Sequence, residues 1–234
     1  MSVPVLFAQT NRGQPVFPES FTEQEWLTLK GSYQVGDFLM PCCGASAIPK
    51  VSINGVRFFA HQSDECASAP ESQWHIATKN QLARTLLQVG EQPIIEQSID
   101  DKLVHAKPDV QFVSKDQRIA IEVQHSYQTL DEYLRRQKRY SDAGVRCYWL
   151  LYLPQYSTLA KATARRRIKR EFAGALPPGG MFPTIPELPV AIFAPDECGG
   201  RVTGAGNLNL PLTHWLTAIT ARQFQWVNGV WIVA

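Results

Sequence analysis

The chain has 234 residues and a formal net charge of +2, with 44% hydrophobic and 19% charged residues, as in an ordinary soluble protein with a buried core. No apolar run approaches the roughly 18–20 residues of a membrane span, and the first residues lack the basic and apolar regions of a secretory signal. Five cysteines without a repeating framework favour reduced thiols or a metal site over disulfides. We therefore expect a cytoplasmic protein that does not bind membranes.

Residues 1–69 predict a small N-terminal module. A β-hairpin is expected over 47–61, because Asn54-Gly55 between two apolar runs is a strong turn signal. Thiolates and imidazole are the ligands that zinc prefers, but adjacent cysteines cannot easily both point at one ion. Two interpretations of these residues therefore stay open: a zinc site, or buried small side chains with a histidine in a loop. The residues concerned are Cys42, Cys43, His61 and Cys66.

Residues 70–176 predict the core of the protein, and its first helix is expected over 71–89. At 100° per residue, three ionisable side chains of this helix fall within an arc of about 80° that also holds two leucines. This stripe predicts a polar cluster directed into a cleft, and the alternative is the solvated end of a half-exposed helix. The ionisable residues are Glu71, His75 and Lys79.

Two strand-like runs follow, each with a carboxylate on a polar face. In the run 119–124, Glu122 and Gln124 alternate with apolar residues, and in the run 107–113 Asp109 lies on the face opposite Val110 and Phe112. The short polar connection between the runs predicts a hairpin with Asp109 and Glu122 on the same side. Because two close carboxylates repel each other, a site that keeps both ionised usually needs a divalent cation, here Mg2+ or Mn2+.

A helix over 128–143 and an apolar strand over 145–153 complete a predicted α/β core. A helix that crosses between two strands indicates parallel neighbours with a right-handed connection. This helix is strongly basic, and the next helix, 157–173, has six basic residues within ten positions. The second basic helix is either DNA-contacting or only a solvated face. The residues predicted to contact nucleic acid are Arg135, Arg136, Arg139, Arg166 and Lys169.

Residues 177–234 predict a small C-terminal α+β appendage. The break at Pro177-Pro178-Gly179-Gly180 precedes one apolar strand, a helix over 211–223 and a terminal hairpin that turns at Asn228-Gly229.

The carboxylate pair predicts metal-dependent phosphodiester hydrolysis. A hard cation prefers oxygen ligands and keeps several waters, one of which can attack a phosphate. Gln124 could orient that water or a phosphate oxygen, and Glu71 could complete the metal shell. His75 and Lys79 could supply positive charge or transfer a proton. Phosphatases and structural ion-pair networks also carry such carboxylates, so the pattern alone is not specific.

Several motifs resemble a known family. Pro108-Asp109 and then Glu122-Val123-Gln124 are similar to the PD-(D/E)xK nuclease signature, with glutamine in the final position. Further segments over 38–153 resemble the competence protein CoiA-like family. These are Pro41-Cys42-Cys43-Gly44, Phe58-Phe59-Ala60-His61, Glu71-Ser72-x-x-His75-x-x-x-Lys79, Ile121-Glu122-Val123-Gln124-x-Ser126, Arg135-Arg136-x-x-Arg139-Tyr140 and Trp149-Leu150-Leu151.

The resemblance implies a restriction-endonuclease-like core, a mixed central sheet flanked by helices, behind the N-terminal module. It also implies a role in processing or recombining DNA taken up during natural transformation. By motif match, Asp109 and Glu122 become metal ligands, Gln124 takes the place of the lysine, and Glu71 matches the acidic residue of the first core helix. Glutamine is neutral and can only hydrogen-bond, so Lys79 is expected to supply the missing charge.

Three hypotheses follow. The first is a Mg2+-dependent DNA nuclease. The second is a DNA-binding recombination accessory protein that keeps the fold without efficient cleavage. The third is a different cytoplasmic enzyme or interaction module in which the carboxylates are structural.

Overall fold

The computed structural model describes residues 7–41, 44–51, 55, 57–62, 73–101, 104–177, 179–180, 183–196 and 199–234. The chain divides into two compact units, residues 1–80 and 81–234. Within the described residues, no helix has both the length and the apolar character needed to cross a membrane.

The described residues of the first unit before Gln73 form short strands and one α-helix. These elements are β1 (Ala8–Thr10), β2 (Pro15–Val16), α1 (Glu23–Ser32), β3 (Phe38–Leu39), β4 (Ala47–Val51) and β5 (Arg57–His61), with a 3-10 turn at Pro18–Ser20. A capping box between Thr22 and Glu25 starts α1. Strands β4 and β5 pair antiparallel, which confirms the predicted hairpin.

The helix α2 (Gln73–Gln88) includes the boundary between the units, as the chain passes from Asn80 to Gln81. It was predicted over 71–89. The elements of the second unit are β6 (Ile94–Ile95), β7 (Ile99–Asp101), β8 (Val104–Ala106), β9 (Val110–Ser114), β10 (Gln117–Gln124), α3 (Leu130–Asp142), β11 (Arg146–Leu151), α4 (Leu153–Glu171), β12 (Val190–Ala194), β13 (Arg201–Thr203), β14 (Asn209–Pro211), α5 (Leu212–Thr220), β15 (Phe224–Val227) and β16 (Val230–Val233).

A seven-stranded mixed sheet organises the second unit, in the order β14-β13-β12-β11-β10-β9-β6. Strands β10, β11 and β12 are parallel, and the other pairs are antiparallel. The β9–β10 hairpin turns at Lys115 and Asp116, which both have positive φ, as a two-residue type I′ turn requires. Strands β10 and β11 on either side of α3 are parallel neighbours, as predicted.

Helices cover both faces of this sheet. On one face, Trp149 and Leu151 of β11 pack with Tyr133 of α3 and Tyr156 of α4 in one buried cluster. On the other face, Tyr148 contacts Trp215 of α5, with ring centroids 6.0 Å apart. The alternation arises because successive strand residues point to opposite faces. The predicted mixed sheet flanked by helices is therefore present.

Residues 98–105 contain β7 and part of β8, which pair antiparallel. One expectation about this unit was wrong. The C-terminal residues were expected to form a separate α+β appendage, but β12, β13 and β14 extend the central sheet. The reason is that β11 is buried on both faces and still has an open edge, to which the apolar β12 adds in parallel. The terminal hairpin β15–β16 is confirmed.

Candidate active site

The two central carboxylates lie opposite each other on neighbouring strands. The β9–β10 register pairs Val110 with Ile121, so its continuation by one residue places Asp109 opposite Glu122. Directly opposite residues have Cβ atoms about 4.5–5.5 Å apart. The backbone N–H of Val123 donates to Asp109 Oδ2 at 2.7 Å and fixes that carboxylate. The predicted pairing of the two carboxylates is therefore present.

Glu122 is 2% exposed and has two strong partners on α3. The Tyr140 hydroxyl donates to Glu122 Oε1 at 2.5 Å, and Arg136 Nη2 lies 2.7 Å from the same oxygen. Burial and then the charge of Asp109 raise the pKa of Glu122 to about 7, although Arg136 and Tyr140 oppose this. A hydrogen bond between the Asp109 and Glu122 side chains also raises it, which shows how closely the two groups face each other.

Arg136 is a cation held inside this site. Burial is the largest single effect and opposes its charge, but the charge and hydrogen bond of Glu122 together with Tyr140 and Asp109 raise the pKa of the guanidinium. The same guanidinium lies over the Trp149 ring, 4.8 Å from its centroid, and Nη1 donates to Gln124 Oε1 at 3.4 Å. The site therefore combines two carboxylates with one fixed positive charge.

The amide of Gln124 is fully engaged in positioning. Its Nε2 donates to the backbone oxygen of Ser126 at 2.8 Å and to Ser126 Oγ at 2.9 Å, while its Oε1 accepts from Arg136. Gln124 is 6% exposed. In this geometry Gln124 orients Arg136, whereas the sequence had predicted that it orients a water or a phosphate oxygen.

Hydrogen bonds from Gln137 hold α3 against the sheet at this point. Trp149 Nε1 donates to Gln137 Oε1 at 2.7 Å, and Gln137 Nε2 donates to the Cys147 backbone oxygen at 3.2 Å. Thr129 caps the N-terminus of the helix by accepting from the Glu132 N–H. These contacts fix the rotation of α3, and thereby the direction of its Arg136 side chain.

Two of the three site residues that were predicted on the first core helix, His75 and Lys79, belong to the first unit of the chain. Lys79 is 6% exposed and His75 is half-buried, so Lys79 is not part of a solvated helix end. Both belong to the first unit, whereas Asp109 and Glu122 belong to the second, so their convergence stays a prediction. Glu71 lies outside the described residues.

The zinc prediction also stays open. His61 ends β5 and is half-buried, while Cys42, Cys43 and Cys66 lie outside the described residues. Among the described residues, no group of three or more His, Cys, Asp or Glu side chains is arranged to hold a metal ion. A cation between Asp109 and Glu122 would therefore need further oxygen ligands.

The residues predicted to contact nucleic acid differ in their exposure. Arg135 is 69% exposed and pairs with Glu132 at 3.2 Å, and Arg139 and Lys169 are exposed. Arg166 is partly buried and lies 3.9 Å from Glu187. Arg136 differs from the expected surface residue, because its guanidinium points into the carboxylate site.

Sequence reasoning missed the roles of Tyr140 and Arg136 at Glu122. Their signal is helical spacing, since Tyr133, Arg136 and Tyr140 recur at i, i+3 and i+7 on one face of α3. Two buried tyrosines on that face indicate that it packs on the sheet, and an arginine between them must then find a buried partner.

Comparisons with known proteins match the same part of the chain. Residues 71–173 match the family model described as "Competence protein CoiA, nuclease-like domain". The curated "Competence protein CoiA" of Bacillus subtilis (strain 168) is 29% identical over 117 residues, which cover 49% of this chain and 31% of that protein. The match thus spans about a third of that relative. These findings confirm the predicted resemblance to the CoiA-like family.

Proposed function

We propose that this chain, whose residues 71–173 match the CoiA nuclease-like domain, is a metal-dependent DNA nuclease that hydrolyses phosphodiester bonds. The observation that carries this proposal is the opposed pair of Asp109 and Glu122 with a cationic side chain fixed beside it. We place its action in the cytoplasm, in DNA processing during competence or recombination.

The donor set of the pair fits Mg2+ or Mn2+. Carboxylate oxygens are the ligands that these hard cations prefer. The raised pKa of Glu122 also fits, because it reflects repulsion and burial that a nearby cation would offset. Asp109, Glu122 and, from outside the described residues, Glu71 would hold the ion. When bound, the ion would polarise the phosphate and make a bound water more acidic.

We assign the positive charge at the attacked phosphate to Arg136. Gln124 is neutral, so the lysine of the related signature has no equivalent at that position. The Arg136 guanidinium contacts both Gln124 and Glu122, and its five N–H donors in a planar fork match phosphate geometry. Gln124 and Trp149 act as positioning residues for it. His75 and Lys79 remain proposed sources of further charge or proton transfer.

A DNA-binding recombination accessory role with little cleavage is the second candidate. The observation that favours it is the engagement of Glu122 Oε1 by both Arg136 and Tyr140. If those contacts persist with DNA present, this oxygen cannot also coordinate an ion, and the protein would bind DNA without efficient hydrolysis.

A cleavage assay on labelled single- and double-stranded DNA separates the two candidates. With Mg2+ or Mn2+, wild type should give products that EDTA abolishes, and Asp109→Ala or Glu122→Ala should lose them. Asp116→Asn is the matched control, because it removes an exposed carboxylate from the turn of the same hairpin. DNA binding without cleavage that responds to these variants would leave the accessory role as the function.

Moving the positive charge from position 136 to position 124 tests the role of Arg136. Arg136→Gln should lower kcat by about 10²–10³-fold, the usual loss for a preorganised group that stabilises transition-state charge. The double variant Gln124→Lys/Arg136→Gln should recover part of that loss, because it returns a positive charge to the neighbouring position. Full cleavage by Arg136→Gln alone would refute the assignment.

A further inference from the structure

A basic groove lies between the start of α3 and the C-terminal half of α4. It has a volume of about 550 Å³. Leu130 and Asp131 of α3 form one wall, and four cations of α4 line the other. The four are Arg165, Arg166, Lys169 and Arg170.

Helical spacing brings these cations together. At 100° per residue, positions 165, 166, 169 and 170 fall within an arc of about 140°. The intervening Arg167 points away from this arc, is 8% exposed, and binds Glu171 at 2.9 Å and the Thr184 backbone oxygen at 3.2 Å. The α4 sequence thus separates one structural arginine, Arg167, from the four cations that face the groove.

Most of the positive charge in the groove has no acidic partner among the described residues. Within the described part of the chain, Arg165, Lys169 and Arg170 are exposed and make no ion pair. Arg166 lies 3.9 Å from Glu187, and Asp131 also lines the groove. Four cations against these two carboxylates leave an excess of two positive charges.

We propose that the basic groove binds the phosphodiester backbone of DNA outside the cleaved nucleotide, an inference that rests on the proposed function. Arginine and lysine without protein partners bind phosphate and release the counterions that surround nucleic acid. The groove is also larger than a single phosphate requires. A polyanion therefore fits better than an isolated anion.

The position of the groove on α3 defines its role. Asp131 and Arg136 are five residues apart, which corresponds to about 7.5 Å along the helix axis and about 140° around it. The groove and the carboxylate pair therefore open on different sides of α3. Phosphates recur about every 3.4 Å of helix axis along one DNA strand, so the groove holds backbone a few nucleotides from the reacting phosphate. It contributes to affinity and not to the chemical step.

Fluorescence anisotropy with a labelled oligonucleotide duplex in EDTA tests this inference. The variant Arg165→Ala/Lys169→Ala/Arg170→Ala should bind at least about tenfold more weakly. Its slope of log affinity against log salt should be smaller in magnitude by about 2–3, close to 0.9 for each lost phosphate contact. In cleavage assays its KM should rise while kcat stays unchanged.

The matched control is Lys30→Ala/Lys50→Ala/Lys138→Ala, which removes three exposed cations outside the groove. It should change affinity less than about threefold at the same salt. Equal weakening by both triple variants, or none by the groove variant, overturns the inference. Binding of anionic lipid vesicles in place of DNA also overturns it.

The groove and the proposed function can fail separately. If Glu122→Ala cleaves like wild type, the nuclease proposal fails while DNA binding by the groove is still measured in EDTA. If metal-dependent cleavage is present and the groove variant retains wild-type affinity and KM, the nuclease proposal stands and the groove inference fails.

Discussion

Replacing Arg136 with glutamine removes the cationic partner of a carboxylate that is only 2% exposed. The expected loss of stability depends on pH, because Glu122 can escape its unpaired charge by binding a proton. In wild type the folded-state pKa of Glu122 is about 7, against an ordinary value of 4.5. The folded protein therefore binds more protons than the unfolded chain between these values, and stability falls as pH rises through that window.

The size of this pH-dependent loss of stability follows from the protonation equilibrium of Glu122. In wild type the loss of stability levels off above about pH 7, once Glu122 ionises beside Arg136. Without Arg136 the pKa of Glu122 rises further, so the loss continues at about 1.4 kcal/mol per pH unit above 7. The additional destabilisation by Arg136→Gln should thus be about 1 kcal/mol near pH 8 and about 3 kcal/mol near pH 9.

A smaller part of the destabilisation by Arg136→Gln should not depend on pH. Near pH 5, Glu122 is protonated in both proteins, and the variant loses mainly the packing of the guanidinium on Trp149, worth about 1 kcal/mol. Urea unfolding in EDTA from pH 5 to 9 measures both parts. The control is Arg135→Gln on the same helix, whose partner Glu132 is a surface residue, with an expected change below about 0.5 kcal/mol at every pH. A destabilisation by Arg136→Gln that is constant from pH 5 to 9 would refute the reasoning.

Three further changes have defined outcomes. Tyr140→Phe removes a hydrogen bond to the buried glutamate and should cost about 1–3 kcal/mol in urea unfolding, whereas Tyr133→Phe, whose hydroxyl makes no hydrogen bond within the described residues, should cost less. Mn2+ at about 100 times its Kd should stabilise wild type by about 2.7 kcal/mol in thermal unfolding and should leave Asp109→Asn unchanged. Gly200→Ala would place a Cβ 2.8 Å from a backbone carbonyl oxygen and should destabilise by more than about 2 kcal/mol. Gly199→Ala meets nothing within 4 Å, so only its positive φ of 105° should count, at about 1 kcal/mol. Equal effects of the two glycine variants would contradict the steric account.

Local patterns predicted the parts of the fold that depend on neighbours in sequence. The alternation in β10 placed Glu122 and Gln124 on the face that meets α3, and the Asn228-Gly229 turn marked the last hairpin. The helix 128–143 between two strands predicted a parallel crossover, and α3 provides it. In each case a period of 2 or 3.6 residues, or a turn with a fixed backbone requirement, carried the information.

The sequence did not predict features that depend on distant pairing. The partner of β12 is β11, about 40 residues away, and nothing in the run Val190–Ala194 indicates which sheet edge it joins. The start of α4 at Leu153 was placed too late, although Pro154 in its first turn is a known start signal. The direction of Arg136 was missed because it stands among other basic residues of the same helix, and this cluster of charges suggested one surface that contacts nucleic acid.

Position 124 can now separate two roles of the same arginine. Arg136 neutralises Glu122, and this contact affects the free energy of unfolding. We also propose that Arg136 stabilises charge on a phosphate, and this contact would affect the cleavage rate. In Gln124→Lys/Arg136→Gln, a lysine on the same strand face as Glu122 can compensate the carboxylate, so the pH-dependent destabilisation should shrink. That lysine would not reproduce the packing on Trp149, so the loss near pH 5 should remain. Recovery of cleavage together with this partial recovery of stability would show that the charge, and not the arginine side chain as such, is what the site requires. Recovery of stability without cleavage would show instead that Arg136 is structural and that the neutral Gln124 marks a site that does not cut DNA.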